Sequence, residues 1–110
     1  MKRIVINRRH GGFSLSDEGI ELYGKLARLN LQKVKRHYYR NGIKDNDHSF
    51  WDRNIPRDCP HLVKVVTTLG SKACGRFAEL AIVEIPADIE WEIEEYDGKE
   101  WIAEKHRTWR

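Results

Sequence analysis

Much that would place a protein quickly is missing from this chain. It has only two cysteines, Cys59 and Cys74, too few to staple a disulfide scaffold, and 110 residues carry enough apolar surface to fold without one, so both thiols are expected to be free. No apolar run approaches the roughly 20 residues a helix needs to cross a bilayer, and no membrane span is expected. Met1, Lys2 and Arg3 lead straight into a strand pattern, without the apolar core or small-residue cleavage site of a secretory signal; the expected compartment is the cytoplasm. Repeats and low-complexity tracts are absent.

Catalytic and metal signatures are missing too. A zinc site built on Cys59, His61 and Cys74 would have no C-x-x-C pair and no fourth ligand. Ser14 with His10 as its base lacks the G-x-S-x-G elbow and a third group. No motif asks for a cofactor, and a non-enzymatic role is the expectation.

What the chain does have is charge, unevenly distributed. The net charge is +3, yet residues 1–58 hold 13 Lys or Arg against 7 Asp or Glu, and residues 84–104 hold one lysine against nine acids. This bipolar pattern argues against a uniform basic field that would track a nucleic-acid backbone, and leaves room for a local basic face.

The most informative stretch is 4–20. Ile4, Val5 and Ile6 form an uninterrupted β-branched run, the pattern of a strand buried on both faces. Gly11 and Gly12 then allow a sharp bend, and Ser16 is placed to cap a helix whose first turn carries Asp17 and Glu18 at the positive end of its dipole. The order strand, Gly-Gly, helix is either a plain βα turn or an anion cradle. The helix is expected over 17–29, with Ile20, Tyr23, Leu26 and Ala27 on its buried face. Residues 30–57 have no sustained period and read as a long loop with at most a brief strand pair; Tyr38, Tyr39, Phe50 and Trp51 there serve either as anchors to the core or as stacking surfaces. A second helix follows, with Asp58 as its cap, Pro60 in its first turn and Gly70 as its stop. Leu80–Ile85 reads as a strand ended by Pro86. Asp97-Gly98 marks a type I′ hairpin that sets Tyr96 opposite Lys99, Ile93 opposite Ile102 and Glu90 opposite Lys105. The expected fold is one α+β domain spanning 1–110, in the order β-α-loop-α-β-β-β, with a mainly antiparallel sheet and two helices on one face.

The segments IVIN at 4–7, GGFSLS at 11–16, IPRD at 55–58, VEIP at 83–86, EWEIEEYDGKEW at 90–101 and EKHRTW at 104–109 together resemble a family of small bacteriophage proteins of undefined activity. That resemblance implies an accessory protein acting in the cytoplasm of an infected bacterium, and it brings no catalytic residues to carry over.

The candidate site is basic and aromatic: Arg8, Arg9, His10, Gly11, Gly12 and Phe13 at the bend, Arg53 and Arg57 before the second helix, and Lys105, His106, Arg107 and Trp109 in the tail. Arginine forks match phosphate oxygens and aromatic planes stack on bases, so convergence of these three segments would make a site for a small anionic, nucleotide-like ligand. Such a ligand fits a protein that sequesters a signalling molecule in counter-defence. Two other functions are open: inhibition of a host protein through the acidic hairpin or the aromatic loop, and nucleic-acid binding through the basic first half. The hairpin's second face, with Tyr96 and Trp101, is expected to be covered by another copy, giving a homo-oligomer.

Overall fold

A computed structural model describes residues 1–105. Strand β1, Lys2–Asn7, holds Ile4, Val5 and Ile6 almost wholly out of solvent, as the unbroken β-branched run requires. It pairs antiparallel with β5, Leu80–Ile85, and Val5 faces Ile82. Helix α1, Asp17–Ala27, starts where the Ser16 hydroxyl accepts the Gly19 amide at 3.0 Å, and ends on Arg28 in the left-handed region at φ 58°. It stops two residues short of the expected end because the left-handed turn hands the chain directly to the next strand.

Helix α2, Pro60–Leu69, has Pro60 in its first turn and Gly70 at its end, as expected. Its cap position is occupied by Cys59 rather than Asp58, and no side chain bonds the first-turn amides there. Leu62, Val63, Val65 and Val66 are buried, joining Val5, Leu15, Ile20, Tyr38, Ile55 and Ala73 in a single core. Burial of this valine-rich face offsets the low helix propensity of its residues.

The class is α+β with antiparallel pairing throughout, and the strands are divided among three small sheets. One is β1 with β5. The second lies in the stretch expected as a loop: β2, Leu31–Val34, β3, His37–Arg40, and β4, Ser49–Phe50, in the spatial order β2-β3-β4. Strands of two to four residues are too short to print a clear alternation, which is why the period is hard to see in the sequence. The third sheet is the hairpin of β6, Trp91–Tyr96, and β7, Lys99–Glu104, in the expected register, with Tyr96 opposite Lys99 and Ile93 opposite Ile102. The Lys105 amide donates to the Glu90 carbonyl at 2.9 Å. Asp97 and Gly98 both have positive φ, 51° and 87°, as a type I′ turn demands. Both cysteines are free, and no helix among the described residues is long and apolar enough to cross a membrane.

Candidate nucleic-acid interface

The Gly-Gly bend, the first place to look for an anion, is filled by the chain itself. The hairpin tip docks into it: the Gly11 amide donates to the Asp97 carbonyl at 3.1 Å, and a Cβ on Gly98 would overlap the Gly12 amide and lie 2.7 Å from that of Gly11. Asn7, fully buried at the end of β1, fastens the arrangement. Its side-chain amide donates to the carbonyls of Arg9 and Gly98, at 2.7 and 2.8 Å, and its side-chain carbonyl accepts from the Glu79 amide at 2.8 Å.

Beside Asn7, Glu100 is 8% exposed in the sense of the whole residue and accepts three hydrogen bonds: from the Asn7 backbone amide at 2.7 Å, and from the Arg57 guanidinium at 2.5 and 2.9 Å. The same guanidinium stacks on Phe13, 3.8 Å from the ring centroid. Arg57 and Phe13 therefore do come together with Gly11 and Gly12, but Glu100 is the anion that Arg57 holds. A bidentate, largely desolvated pair of this kind is satisfied internally. A second internal carboxylate, Asp52, accepts the Leu15 amide at 2.8 Å just before α1.

The remaining candidates separate. Arg8 and Arg9 are exposed, and His10 lies 4.0 Å from Asp97 and edge-on to Tyr96. Arg53 lies 5.3 Å from the Trp51 ring centroid. Lys105 flanks a shallow cleft with Lys2 and Trp91. His106, Arg107 and Trp109 lie outside the described residues.

The surface with the best chemistry is the outer face of β2-β3-β4. Pairing places Lys33 opposite Tyr38, Gln32 opposite Tyr39, and Tyr38 opposite Phe50. Alternation then assigns Tyr38 and Phe50 to the inner face, where Tyr38 is buried in the core and Phe50 packs on Tyr23 with ring centroids 5.7 Å apart. Tyr39 and His37 fall on the outer face. There they are joined by Trp51, which follows β4; its ring is 5.1 Å from that of His37 and 41% exposed. The result is an open aromatic platform of His37, Tyr39 and Trp51.

Its border is cationic. Residues 31–44 contain five Lys or Arg and no acid, and Lys35 and Arg36 form the exposed turn between β2 and β3. Lys33 points inward and bonds Asp17 at 2.9 Å, which ties the sheet to the start of α1 and holds the Asp17 carboxyl below its ordinary value. Burial, with the Asp17 carboxylate nearby, pushes the Tyr38 hydroxyl up to about 12. Of the acids that follow, Asp45 is bonded by the His48 amide and ring, which lowers its carboxyl, Asp52 is held by Leu15, and Asp47 is exposed. The cations left facing solvent around the platform are Lys35, Arg36, Lys44 and Arg53.

A lesser candidate is a cleft of about 530 Å³ between the start of β1 and α2, lined by Lys2, Arg3 and Lys64 with Asp58, over Pro60 and Val63. Among the described residues, no cluster of three or more His, Cys, Asp or Glu could hold a metal ion. Sequence reasoning named Tyr38, Tyr39, Phe50 and Trp51 without sorting them between the two faces, and it missed His37, Lys35 and Arg36. The signal available was the two-residue alternation in HYY and SFW, which separates the core-facing Tyr38 and Phe50 from the outward Tyr39 and Trp51. No protein-family model matches the chain, and neither curated proteins nor solved structures provide a match.

Proposed function

We propose that this protein is a non-enzymatic binder of single-stranded nucleic acid, and that the outer face of β2-β3-β4 is its binding surface. The observation that carries this reading is the coincidence, on one exposed sheet face, of three aromatic rings and a rim of unpaired cations. Rings on an open sheet stack on unpaired bases whatever their identity, and lysine and arginine at the border neutralise the phosphates that follow. Duplex bases are already stacked and would not reach the rings. The resemblance to small bacteriophage proteins suggests an infected bacterium as the setting, where such a protein would act as an accessory on phage or host strands.

Fluorescence anisotropy with a labelled oligothymidylate of about 15 nucleotides, a length in the range of single-strand site sizes, tests the reading. Binding is expected to weaken steeply with salt, to fall about tenfold on Trp51→Ala, for the loss of one stacked base, and to be lost on Lys35→Glu combined with Arg36→Glu. Equal affinity for a duplex, or binding indifferent to those substitutions, would remove the proposal.

The cleft between β1 and α2 favours a second reading, a small anionic nucleotide-like ligand held by Lys2, Arg3 and Lys64, since its volume suits a ligand of that size. Calorimetry with mononucleotides and the Lys64→Glu variant separates the two: a mononucleotide bound in the cleft is insensitive to Trp51→Ala, and a strand bound on the platform is insensitive to Lys64→Glu.

A further inference from the structure

The two hairpins of this chain carry opposite charge. Residues 31–44 hold five cations and no acid, and residues 88–104 hold eight acids and one lysine. Of those eight, Glu100 is consumed by Arg57, while Glu92, Glu94 and Glu95 are exposed. Register sorts the hairpin as it sorts the platform. Trp91, Ile93, Glu95, Glu100, Ile102 and Glu104 share one face; Glu92 and Glu94 share the outer face with Lys99 and with Tyr96 and Trp101, which are 73% and 43% exposed. Trp101 donates its ring N–H to the Glu94 carboxylate at 3.1 Å, which holds the indole beside that acid.

Alternate residues on a strand stand about 6.8 Å apart, so Glu92, Glu94 and Tyr96 line up along β6, with Trp101 opposite Glu94 and Lys99 opposite Tyr96: two anions beside two aromatic rings, with one lysine at the turn end. A single nucleic-acid strand presents phosphates interleaved with bases, and the platform of β2-β3-β4 is built to receive that pattern. We infer that the acidic outer face of β6-β7 in one copy docks on the basic aromatic platform of a second copy, and that this self-association and nucleic-acid binding exclude each other. The inference rests on the platform being the nucleic-acid surface. Charge complementarity selects the second copy as the occupant: the hairpin's surplus of acids meets a surface bordered by the four solvent-facing cations Lys35, Arg36, Lys44 and Arg53 against, among the described residues, the single exposed acid Asp47 that no side chain bonds, and exposed rings stand on both sides. A reciprocal pair would use both surfaces of each chain and close as a dimer.

Sedimentation velocity of the full chain at about 50 mM and about 500 mM salt, with and without the oligothymidylate, tests this. The expected result is a dimer at low salt that dissociates at high salt and on addition of the oligonucleotide. Glu92→Lys with Glu94→Lys should be monomeric, as should Lys35→Glu with Arg36→Glu. Mixing these two variants should restore association, because the second supplies a native hairpin and the first a native platform. A wild-type monomer at low salt, an oligomer unchanged by either pair of substitutions, or failure of the mixture to associate would overturn the inference; oligonucleotide binding by the wild-type chain that is lost in Lys35→Glu with Arg36→Glu would leave the nucleic-acid reading intact. Dimers that bind the oligonucleotide without dissociating would also overturn it. Absence of any oligonucleotide binding would overturn both.

Discussion

The acidic hairpin and the basic three-stranded sheet are both small antiparallel units with aromatic residues on their outer faces, but they are held to the body in different ways. The hairpin is fixed by a buried polar junction in which Asn7, Glu100 and Arg57 satisfy one another and Gly98 fits against the Gly-Gly bend. The sheet is fixed by rings: Tyr38 and Phe50 on its inner face enter or line the core. The difference governs which charges are available. Where charge does the anchoring, as at Arg57, the cation is already paired. Where aromatic burial does it, as under β2-β3-β4, most of the cations are left for a partner. Charge content read along the chain does not separate Arg57 from Arg53; the anchoring mode does.

The largest effect that would break this comparison is at the buried junction. Glu100→Ala leaves the Arg57 guanidinium and the Asn7 amide without their acceptor, and should lower unfolding stability by about 3 kcal/mol in a urea titration. The pair Arg57→Met with Glu100→Leu should recover the share of that loss due to the unpaired guanidinium, the Asn7 amide staying without its acceptor; full loss in both variants would show that the ion pair is not what holds the hairpin. Gly98→Ala comes next, at about 2 kcal/mol by the same titration, because φ is 87° there and a Cβ would collide with the bend. An unchanged midpoint would mean that the tip does not sit in the bend.

On the sheet the expected effects are on binding. Trp51→Ala should cost about 1.4 kcal/mol of oligonucleotide affinity with little change in the thermal midpoint, since the ring is exposed. Lys35→Ala should reduce the slope of log affinity against log salt by about one and weaken all sequences alike. A large drop in melting temperature for either variant would place these side chains in the structural role that Tyr38 and Phe50 hold.

The smallest effect concerns pH. The Asp17 carboxyl lies below its ordinary value because Lys33 donates to it, so the pair's contribution is fully present above the unfolded-state value near 3.8 and is lost as pH falls through the lowered folded-state value. For so exposed a pair it amounts to about 0.5 kcal/mol after solvent screening. Lys33→Met should flatten that part of the acid limb in a pH series of urea midpoints, and an unaltered limb would show that the sheet is not tied to α1 through this pair.

By itself the sequence determined the elements whose signals are local. The β-branched run at 4–6, the Ser16 cap, Pro60 and Gly70 bounding α2, and the Asp-Gly turn with its register all follow from backbone preferences of neighbouring residues, and they define an α+β chain with two helices between its strands. The tertiary structure alone decided which polar groups meet. Asn7 and Glu100 are 93 residues apart, and Arg57 and Glu100 are 43 apart, distances over which no periodicity speaks. It also decided that the strands form three sheets, and that the stretch from 30 to 57 folds as one of them. Strands this short are specified by what their inner residues pack against, and contacts such as that of Phe50 with Tyr23 in α1, 27 residues away, leave no local period in the sequence. The same packing turned Tyr39 and Trp51 outward and so made the platform.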